Sequence, residues 1–435
     1  MKIAILTNFQ EFPPGYSLTG IVQDQVRMLL SFGHEVHLFV NSKYHGKGEN
    51  VHLPDSDFEK YGLDKTKLHL RKEVPFTHLK DYQTNRLETN FKECNHKQVV
   101  EETKKMLIRE LADFDIAFTH DWIFQGWFMI YGLGVKGASP FLPKLRWLHW
   151  IHSVPTVFRD WWTIKEYGPN HKIIYPNNTD RILVAEQFRG MMEDVRCIHH
   201  IKDIRQWMDF DPETCRFLRR YPQILQADVV KLYPASVDRL HAKRVHEVAE
   251  IMANIKNTGK RVCLIIAAQW ATGRQQKEDI NIYKTEAAQK GLEPDTDFIF
   301  TPDFDKKYEV GITKAMVRDL FLCSNLFIFP TREETFGLVL PEAALSGVLT
   351  ISNKSLRMLS EIAGQNGLFF DFGSYHHNFA VEDMRKYLLD LSQIILGRLK
   401  ENESLSIKTF AIQHYNWNYL YNNEYLPVIQ EVMAK

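Results

Sequence analysis

The sequence is poor in cysteine and carries no net charge, and each feature excludes classes of protein. Its five cysteines are dispersed without a CxxC pair, at Cys94, Cys197, Cys215, Cys263 and Cys323. That pattern is typical of reduced thiols rather than of a disulfide framework or a zinc site. The 54 basic residues are matched by 54 acidic residues. The charge balance therefore gives no support to nucleic acid or a membrane surface as the main partner.

Long apolar runs are also absent. No segment approaches the roughly 18 apolar residues of a membrane-spanning helix. The first apolar run, MKIAIL, reaches polar residues too early for a signal peptide. We therefore expect a cytoplasmic protein without stable membrane insertion. The length of 435 residues, with globular apolar and charged fractions of 44% and 25%, predicts two or three domains.

Short apolar runs alternate with segments of helical period, which predicts a parallel α/β architecture. The helical segments include residues 20–32, 245–257 and 314–324. The predicted strands form two series, residues 2–9, 34–40, 114–120, 145–152, 181–186 and 195–201, then 229–235, 261–268, 297–302, 325–330, 348–352 and 367–372. Two doubly wound halves follow, with a boundary within residues 211–228 and a ligand cleft between them.

One glycine motif is misleading. The segment GLGVKG, Gly132 to Gly137, matches the GxGxxG pattern of dinucleotide-binding sites. A true fingerprint follows a strand and opens a helix. Here the glycines follow a helix-like segment and run into two prolines, Pro140 and Pro143. We therefore interpret the segment as a loop.

Two acidic residues bracket the apolar turn in TREETFGLVLPEAALSG, which spans residues 331–347. A helix beginning near Phe336-Gly337 would present unpaired N–H groups suited to phosphate or sugar oxygens. Glu334 would face the same point and Glu342 would lie in the early turns. A carboxylate accepts hydrogen bonds from vicinal hydroxyls. Taken alone, however, the pair fits an acid at a helix start and a solvated residue.

A basic pair stands at a second strand-to-helix junction, in DRLHAKRVHEV at residues 238–248. Arg239 and Lys243, with Arg244 as a competing candidate, could hold a diphosphate and neutralise it as it departs. Cations are unfavourable beside a helix start unless an anion is bound. This local conflict favours a functional role for the pair.

The histidine pairs His149/His152 and His199/His200 invite a metal interpretation. Adjacent histidines on a strand point to opposite faces, and no third ligand accompanies either pair at metal spacing. We therefore expect structural or substrate contacts and no metal. The aromatic segment 145–175 could line an acceptor site, where basic side chains would suit an anionic acceptor. Those candidates are Trp147, Trp150, Trp161, Trp162, Arg159, Lys165 and Lys172.

Four segments, in order over nearly the whole chain, resemble retaining GT-B glycosyltransferases. EETFGLVLPEA is similar to their E-x7-E element, and residues 238–268 resemble their diphosphate-binding segment. KIAILTNFQEFPPGYSLTG with LLSFGHEVHLFV resembles the first strand, glycine loop, helix and second strand, and HYNWNYLYNNEYLPVIQEV resembles the closing helix. The resemblance implies two Rossmann-like doubly wound domains facing a cleft. The two domains would be an acceptor domain (1–215) and a nucleotide-sugar donor domain (216–415). A C-terminal helix (416–435) would follow them and cross back to the first domain.

The resemblance also implies roles on the donor side. Glu342 would bind the ribose and Glu334 would approach the transferred sugar. Arg239 and Lys243 would hold the diphosphate. The remaining donor contacts implied are the backbone of Thr335, Phe336 and Gly337, and the loop around Thr19 and Gly20.

On the acceptor side, His152 matches a first-domain histidine that contacts the sugar. His120 and Asp121 match the pair after the preceding strand, and Trp150 and Arg159 are further acceptor-side candidates. Three departures from the family pattern bear on the donor. The double glycine of the first loop is reduced to Thr19-Gly20, Thr335 replaces a glycine, and Ala268-Gln269-Trp270 replaces a GxG.

The implied reaction is transfer from a nucleoside-diphosphate sugar, with UDP-sugars favoured, to an acceptor hydroxyl with retention and without an essential metal or other cofactor. The acceptor could be a glycan, a lipid-linked sugar, a small molecule, a protein or a base in phage DNA. The sequence is also compatible with two alternative functions. One is a sugar-nucleotide epimerase or phosphorylase of the same fold, and the other is a non-catalytic carbohydrate- or nucleic-acid-binding module.

Overall fold

The computed structural model describes residues 1–75, 96–123, 129–155, 163–268, 276–364, 366–377 and 379–434. These residues form two compact units. Unit 1 comprises Met1–Lys202 together with Trp417–Lys435, and unit 2 comprises Asp203–Asn416. Several residues singled out in the sequence, Cys94, Arg159, Trp161, Trp162, Gln269 and Trp270, lie outside the described residues.

Unit 1 contains a seven-stranded parallel sheet with the order β3-β2-β1-β4-β5-β6-β7. Its strands are β1 (Lys2–Leu6), β2 (Glu35–Asn41), β3 (Leu68–Val74), β4 (Ile116–His120), β5 (Arg146–Trp150), β6 (His171–Tyr175) and β7 (Val195–Cys197). Its helices are α1 (Ser17–Ser31), α2 (Asp55–Tyr61), α3 (His96–Glu110), α4 (Met129–Ala138) and α5 (Arg181–Gln187).

Unit 2 contains a six-stranded parallel sheet with the order β10-β9-β8-β11-β12-β13. Its strands are β8 (Val229–Ala235), β9 (Val262–Ala268), β10 (Phe298–Phe300), β11 (Leu326–Phe329), β12 (Leu349–Asn353) and β13 (Leu368–Phe370). Its helices are α6 (Ile204–Trp207), α7 (Pro212–Arg220), α8 (Val245–Lys256), α9 (Gln276–Gln289), α10 (Lys314–Cys323), α11 (Val339–Leu345), α12 (Arg357–Ile362), α13 (Met384–Glu401) and α14 (Glu403–His414).

The chain returns to unit 1 through α15 (Trp417–Leu420), a π-helical turn (Tyr421–Tyr425) and α16 (Leu426–Met433). The Tyr421 ring stacks on Phe32 with centroids 3.7 Å apart, and Arg196 donates to Glu431 at 2.6 and 2.7 Å. The prediction of two Rossmann-like parallel sheets, with a C-terminal helical segment packed on the first, is therefore confirmed.

The central strands are nearly continuous apolar runs because helices cover both faces of a parallel sheet. Every residue of β8 and β9 is buried. Lys231 is the charged exception in β8, and its pKa is held well below the ordinary value because burial disfavours the ammonium form. Its Nζ lies 3.6 Å from the centre of the Tyr233 ring and 3.4 Å from the Leu232 carbonyl oxygen.

The prediction of a strand over residues 181–186 is wrong. This segment is α5, preceded by a turn in which Asp180 N donates to Asn177 Oδ1 at 2.9 Å. The buried positions Val184, Ala185 and Phe188 are spaced as on one helix face. The sixth strand is instead HKIIY, β6, and the edge strand β3 was also missed, because each carries charged residues that interrupt the apolar run.

The predicted boundary after residue 215 falls inside α7, which belongs to unit 2. That helix is attached to unit 2 by a buried carboxylate: Asp319 accepts from the backbone N of Asp211 at 2.8 Å and from Thr214 Oγ1 at 2.9 Å. The polar stretch at this boundary therefore belongs to unit 2, where Arg216 of α7 also pairs with Asp305 at 2.6 Å.

The GLGVKG segment is not a loop, contrary to the prediction, and it opens no helix after a strand either. It occupies most of α4, where its glycines permit close packing against α3. A Cβ at Gly134 would lie 2.5 Å from Thr103 Cγ2, and one at Gly137 would lie 3.2 Å from Lys104 Cδ. The motif therefore serves helix packing.

Gly134→Ala is expected to destabilise the protein by about 1–3 kcal/mol, because the added methyl group collides with the fully buried Thr103. Gly397→Ala in α13 is the matched control, since a Cβ there meets nothing within 4 Å. The control should gain roughly 0.5–1 kcal/mol of helix propensity. Urea unfolding of both variants measures the difference, and equal stability would contradict the packing explanation.

In the described part of the chain, no helix is both long and apolar enough to cross a bilayer. The described cysteines, Cys197, Cys215, Cys263 and Cys323, all carry free thiols. Three of them are buried.

Candidate functional site

The basic and acidic pairs of unit 2 meet at the point where its strand order reverses. Strands β8 and β11 are neighbours in the sheet, although the chain forms β9 and β10 between them. In open parallel sheets, ligands bind outside the carboxyl ends of strands at such a switch point. Arg239 and Lys243 follow β8, and Glu334 follows β11.

Arg239 and Lys243 lie one helical turn apart. Val237–Arg239 forms a 3-10 turn, and Lys243 N donates to the Arg239 carbonyl at 2.9 Å. Residues four apart on a helical turn share a face. Both side chains therefore reach the same loop, where Arg239 pairs with Glu333 and Lys243 Nζ donates to Glu334 Oε2 at 2.9 Å.

Arg244 points elsewhere. Its backbone is left-handed (φ 54°), so it interrupts the helical turn before α8 begins at Val245. The buried side chain pairs with Glu247 of α8. Lys243, and not Arg244, therefore contacts the same loop as Arg239.

The Lys243–Glu334 pair is mostly buried, with side-chain exposures of 10% and 21%. Burial opposes ionisation of Glu334, but the hydrogen bond and charge of Lys243 outweigh it, so the pKa of the carboxyl is lowered. The carboxylate is therefore ionised at neutral pH. An ammonium group has three donors, and Glu334 takes one of them.

Backbone bonds hold the two loops together. Arg332 N donates to the Ala242 carbonyl at 2.9 Å, beside Lys243. Asn353 Nδ2 donates to the Thr331 carbonyl at 2.9 Å, and Thr331 Oγ1 donates to the Glu333 carbonyl at 2.8 Å. Hydrogen bonds to backbone carbonyls thus fix the loops that carry the charged side chains.

Gly337 is the turning point of the loop. Its φ of 76° favours glycine, and a Cβ there would lie 2.9 Å from Phe329 Cε1 and 3.2 Å from Glu334 Cγ. The helix begins after this turn, at Val339, later than predicted. Thr335 and Phe336 are exposed beside it, with Thr335 N donating to Glu334 Oε1 at 3.1 Å.

Glu342 lies in the first turn of α11, earlier in the helix than predicted, and is exposed. It lines a cavity of about 590 Å³ whose wall is mainly apolar, with Pro234 of β8 at the same cavity. The other lining residues are Lys314, Val317, Arg318, Phe321, Leu322, Leu338, Val339, Leu345 and Ser346. A largely apolar cavity of this size with a few polar groups suits a small ligand.

In unit 1 the corresponding switch point lies between β1 and β4. Thr19 and Gly20 follow β1, but they belong to the first turn of α1 rather than to a loop as predicted. The buried Thr19 hydroxyl lies 2.6 Å from the Tyr16 carbonyl and 2.9 Å from the Pro13 carbonyl. Thr19 therefore anchors the turn, while Gly20 leaves open space on its Cβ side.

A hydrogen-bonded relay leads to His152. Gln25 Nε2 donates to Tyr425 Oη at 3.0 Å, and Gln25 Oε1 lies 3.0 Å from His120 Nε2. His120 Nδ1 is 2.9 Å from His152 Nε2. Burial lowers the pKa of His120 to about 3 and holds that of His152 well below its ordinary value. Both rings are therefore neutral at pH 7.

The relay fixes one tautomer. Because Gln25 presents its carbonyl oxygen, His120 Nε2 is the donor and His120 Nδ1 the acceptor. His152 Nε2 then carries the proton, which leaves a lone pair on His152 Nδ1. Within the described residues this buried atom has no hydrogen-bond partner. The relay thus ends in a buried, unpaired acceptor that follows the carboxyl end of β5.

Asp121 stands beside His152. Its left-handed backbone (φ 58°) turns the carboxylate so that Oδ1 accepts from His152 N at 2.9 Å. Burial raises the pKa of Asp121 to about 6, so the group loses its charge in mild acid. Partial burial, and then the charge of Asp121, raise the pKa of Tyr16.

Two predicted acceptor-side residues lie beneath this surface. His120 and Trp150 are almost fully buried, and the Trp150 ring packs between His120 and Tyr425. They position His152 and leave no side-chain surface for an acceptor. Arg159, another predicted acceptor-side residue, lies outside the described residues.

The other histidines of the two predicted pairs make contacts that are separate from one another. His149 is buried and bonds Thr119 and His171 at 2.8 and 2.9 Å, so it does not share a ligand position with His152. His199 Nδ1 lies 2.8 Å from Glu424 Oε1, whereas the ring of His200 stacks against His152. Lys172 is buried in β6 beside Asp194 rather than on a loop.

Three site residues were missed in the sequence. Gln25 lies on the buried face of α1, three residues after Val22 and four before Leu29, where a polar residue signals a specific partner. Tyr425 stands in the closing segment that was noted only as a helix. Glu333, next to Glu334, was passed over although it pairs with Arg239.

Comparison with solved structures gives distant similarities over the full chain. A glycosyltransferase from Rickettsia africae is 13% identical, with 99% of this chain and 98% of that chain covered at a TM-score of 0.36. HepE of Anabaena in complex with UDP is 13% identical (100% and 98% covered, TM-score 0.32). Sucrose-phosphate synthase from Thermosynechococcus elongatus is 16% identical (100% of both chains, TM-score 0.33).

No curated protein matches the chain. A family of protein sequences does match the part that holds the charged cluster. That part contains Arg239, Lys243, Glu334 and Glu342 within unit 2. Residues 221–393, and with them the charged cluster of unit 2, match the family described as glycosyl transferases group 1.

Proposed function

We propose that this protein is a glycosyltransferase that moves a sugar from a nucleoside-diphosphate donor to an acceptor hydroxyl with retention at the anomeric carbon. One observation carries the proposal. Within the segment that matches group 1 glycosyl transferases, two cations and a carboxylate converge at the switch point of a parallel sheet. A diphosphate needs such cations, and a sugar hydroxyl can donate to such a carboxylate.

In this proposal unit 2 is the donor domain and unit 1 the acceptor domain. Arg239 and Lys243 bind the diphosphate, and Glu334 accepts a hydrogen bond from the transferred sugar. Glu342, on the wall of the 590 Å³ cavity, binds the ribose hydroxyls. The backbone of Thr335, Phe336 and Gly337 contributes further contacts to phosphate or sugar oxygens.

The proposed chemistry breaks the bond between the anomeric carbon and the diphosphate oxygen. The acceptor oxygen forms the new bond on the same face, and its proton passes to the departing phosphate oxygen. Negative charge grows on the diphosphate during this step, and the preorganised Arg239 and Lys243 stabilise it. This placement of two cations lets the reaction proceed without an essential metal.

His152 is proposed to accept a hydrogen bond from the sugar through Nδ1, the unpaired acceptor at the end of the relay. A neutral ring with its lone pair at Nδ1 matches a hydroxyl donor. Asp121 accepts from the backbone N of His152 and interacts electrostatically with Tyr16. The proposed role of His120, Trp150, Gln25 and Tyr425 is to hold the His152 ring in this tautomer and orientation.

A donor panel followed by product analysis tests the proposal. The purified protein is incubated with UDP-, GDP- and ADP-sugars, with UDP-sugars first, and binding is followed by thermal shift and donor turnover. We expect one nucleotide to raise the unfolding temperature and its sugar to be transferred with the donor's anomeric configuration, as read by NMR. The same turnover after EDTA treatment is expected.

Three outcomes would contradict the proposal. A new sugar nucleotide formed from the donor alone would indicate an epimerase. Inverted product would exclude retention, and binding without turnover across glycan, lipid-linked, small-molecule, protein and DNA acceptors would favour a binding module. The acceptor panel also separates these acceptor classes from one another.

A further inference from the structure

A cluster of side chains that can bind metal lies at the amino-terminal ends of the unit 1 strands, whereas His152 follows the carboxyl end of β5. Glu35 and His37 are the first and third residues of β2, and His69 is the second residue of β3. Residues two apart on a strand share a face, and His37 and His69 are partners in the register of the two strands. The backbone alone therefore brings all three side chains together at the amino-terminal end of the sheet.

The ligand atoms are already close. Glu35 Oε1 lies 2.8 Å from His37 Nε2 and 3.6 Å from His69 Nε2, and all three ligand atoms lie within 4.8 Å of one another. Zinc bonds of roughly 2.0–2.1 Å in a tetrahedron place neighbouring ligand atoms about 3.3 Å apart. The observed separations bracket that value, so an ion could enter with side-chain adjustments alone.

We propose that Glu35, His37 and His69 form a binding site for a divalent late transition-metal ion, with zinc as the best match. Two imidazoles and one carboxylate are a ligand set that zinc accepts, with solvent in the fourth position. The exposed fractions of the Glu35 and His69 side chains, 44% and 40%, leave a path for the ion. His37, at 8%, forms the floor of the site.

The site has a structural rather than a chemical role. Strand β3 is the edge of the seven-stranded sheet, and edge strands depend on few partners. An ion bound by β2 and β3 together joins the edge strand to the interior of the sheet. The proposal is independent of the sugar transfer proposed above, since none of its residues belongs to either charged or histidine site described there.

The groups around the cluster affect its affinity for a cation. The Phe114 ring packs edge-on against His37 with centroids 4.8 Å apart. The Lys2 ammonium lies 4.5 Å from the centre of the same Phe114 ring and acts electrostatically on Glu35 and His37. A positive charge so close opposes a divalent cation. Lys2→Gln is therefore expected to tighten binding several-fold, whereas a purely structural Glu–His contact would give no such effect.

Metal titration of the full-length protein tests the site. The protein is stripped with EDTA, and zinc binding is measured by calorimetry, with cobalt absorption as a second readout. We expect one tight site per chain, weakened at least tenfold by His69→Ala and by Glu35→Gln. The matched control is His45→Ala, because His45 faces Glu11 at 3.8 Å as a surface histidine–carboxylate pair and should bind as wild type does.

Hydrogen exchange locates the effect. Zinc should slow exchange of the amides in β3 in the wild-type protein and not in Glu35→Gln, a variant that keeps the side-chain volume and so preserves folding. Absence of a stoichiometric site in the wild type would overturn the proposal. So would zinc binding that is equally strong in the His69→Ala, Glu35→Gln and His45→Ala variants, since that result would indicate adventitious surface binding only.

Discussion

Replacing Lys243 with methionine is expected to lower sugar-transfer turnover by about 10²–10³-fold, because one of two preorganised cations is removed from the departing diphosphate. The side chain keeps its length but loses its charge. The change also leaves the Glu334 carboxylate without its 2.9 Å partner. Its partly buried charge would then be unpaired, at a cost of about 1–3 kcal/mol of stability. Turnover and urea unfolding are measured on the same preparation.

Lys290→Met provides the matched control. Lys290 Nζ contacts Glu250 Oε2 at 2.6 Å in the same unit, and the exposed fraction of Glu250, 20%, matches the 21% of Glu334, although Lys290 is more exposed than Lys243. The Lys290 pair follows neither β8 nor β11. Lys290→Met should lose less stability than Lys243→Met, because the exposed ion pair is weaker, and it should retain turnover. If Lys243→Met does not fold, Arg239→Gln answers the same question, since Arg239 is half exposed. Near-normal turnover in a folded Lys243 or Arg239 variant would contradict the diphosphate assignment.

Lys231→Met is expected to stabilise unit 2 by about 1–3 kcal/mol at neutral pH, the usual gain when a poorly bonded buried polar group is removed. Among the described residues, its Nζ donates a single long hydrogen bond, to the Leu232 carbonyl at 3.4 Å. Methionine fills similar space without a group that must ionise. Each kcal/mol corresponds to about 2–4 °C in the unfolding temperature of a domain of this size.

The pH dependence of the Lys231→Met gain follows from the lowered pKa of Lys231. Between the folded and unfolded pKa values the unfolded chain binds more protons, so wild-type stability falls as the pH falls. The variant lacks this loss, and its advantage should widen in calorimetric scans as the pH is lowered below the ordinary pKa of lysine. Lys260→Met, at an exposed position, should show neither gain nor widening. A destabilised Lys231→Met would indicate that the lysine's ring contacts outweigh its burial.

Much of the fold could be predicted because its signals are local. Apolar runs bounded by turn residues gave β1, β4, β8 and β11, and parallel strands with helices between them imply Rossmann-like order. The misassigned elements are those in which local composition competes with packing. Residues 181–186 are rich in β-branched and apolar side chains, yet exposed Ile182 and Leu183 show that only one helical face is buried.

The candidate site also has a part that the sequence predicts and a part that it does not. The charged cluster was predictable because Arg239, Lys243 and Glu334 lie in motifs at strand ends, and parallel strands bring their carboxyl ends to one edge. The relay was not, because it joins Gln25, His120, His152 and Tyr425 across nearly the whole chain. The metal cluster had a visible signal, the E-x-H spacing in β2, but its third member depends on the register of β3.

The return of the chain to unit 1 reverses the usual order of folding during synthesis. Domains generally fold as units, with the N-terminal one first. Here unit 2 is continuous in sequence, whereas unit 1 needs residues 417–434, which the ribosome makes after all of unit 2. The Gln25–Tyr425 bond and the Phe32–Tyr421 stack form only then. Unit 1, which the ribosome begins first, is therefore completed last. The His152 tautomer is set only after translation has passed residue 425.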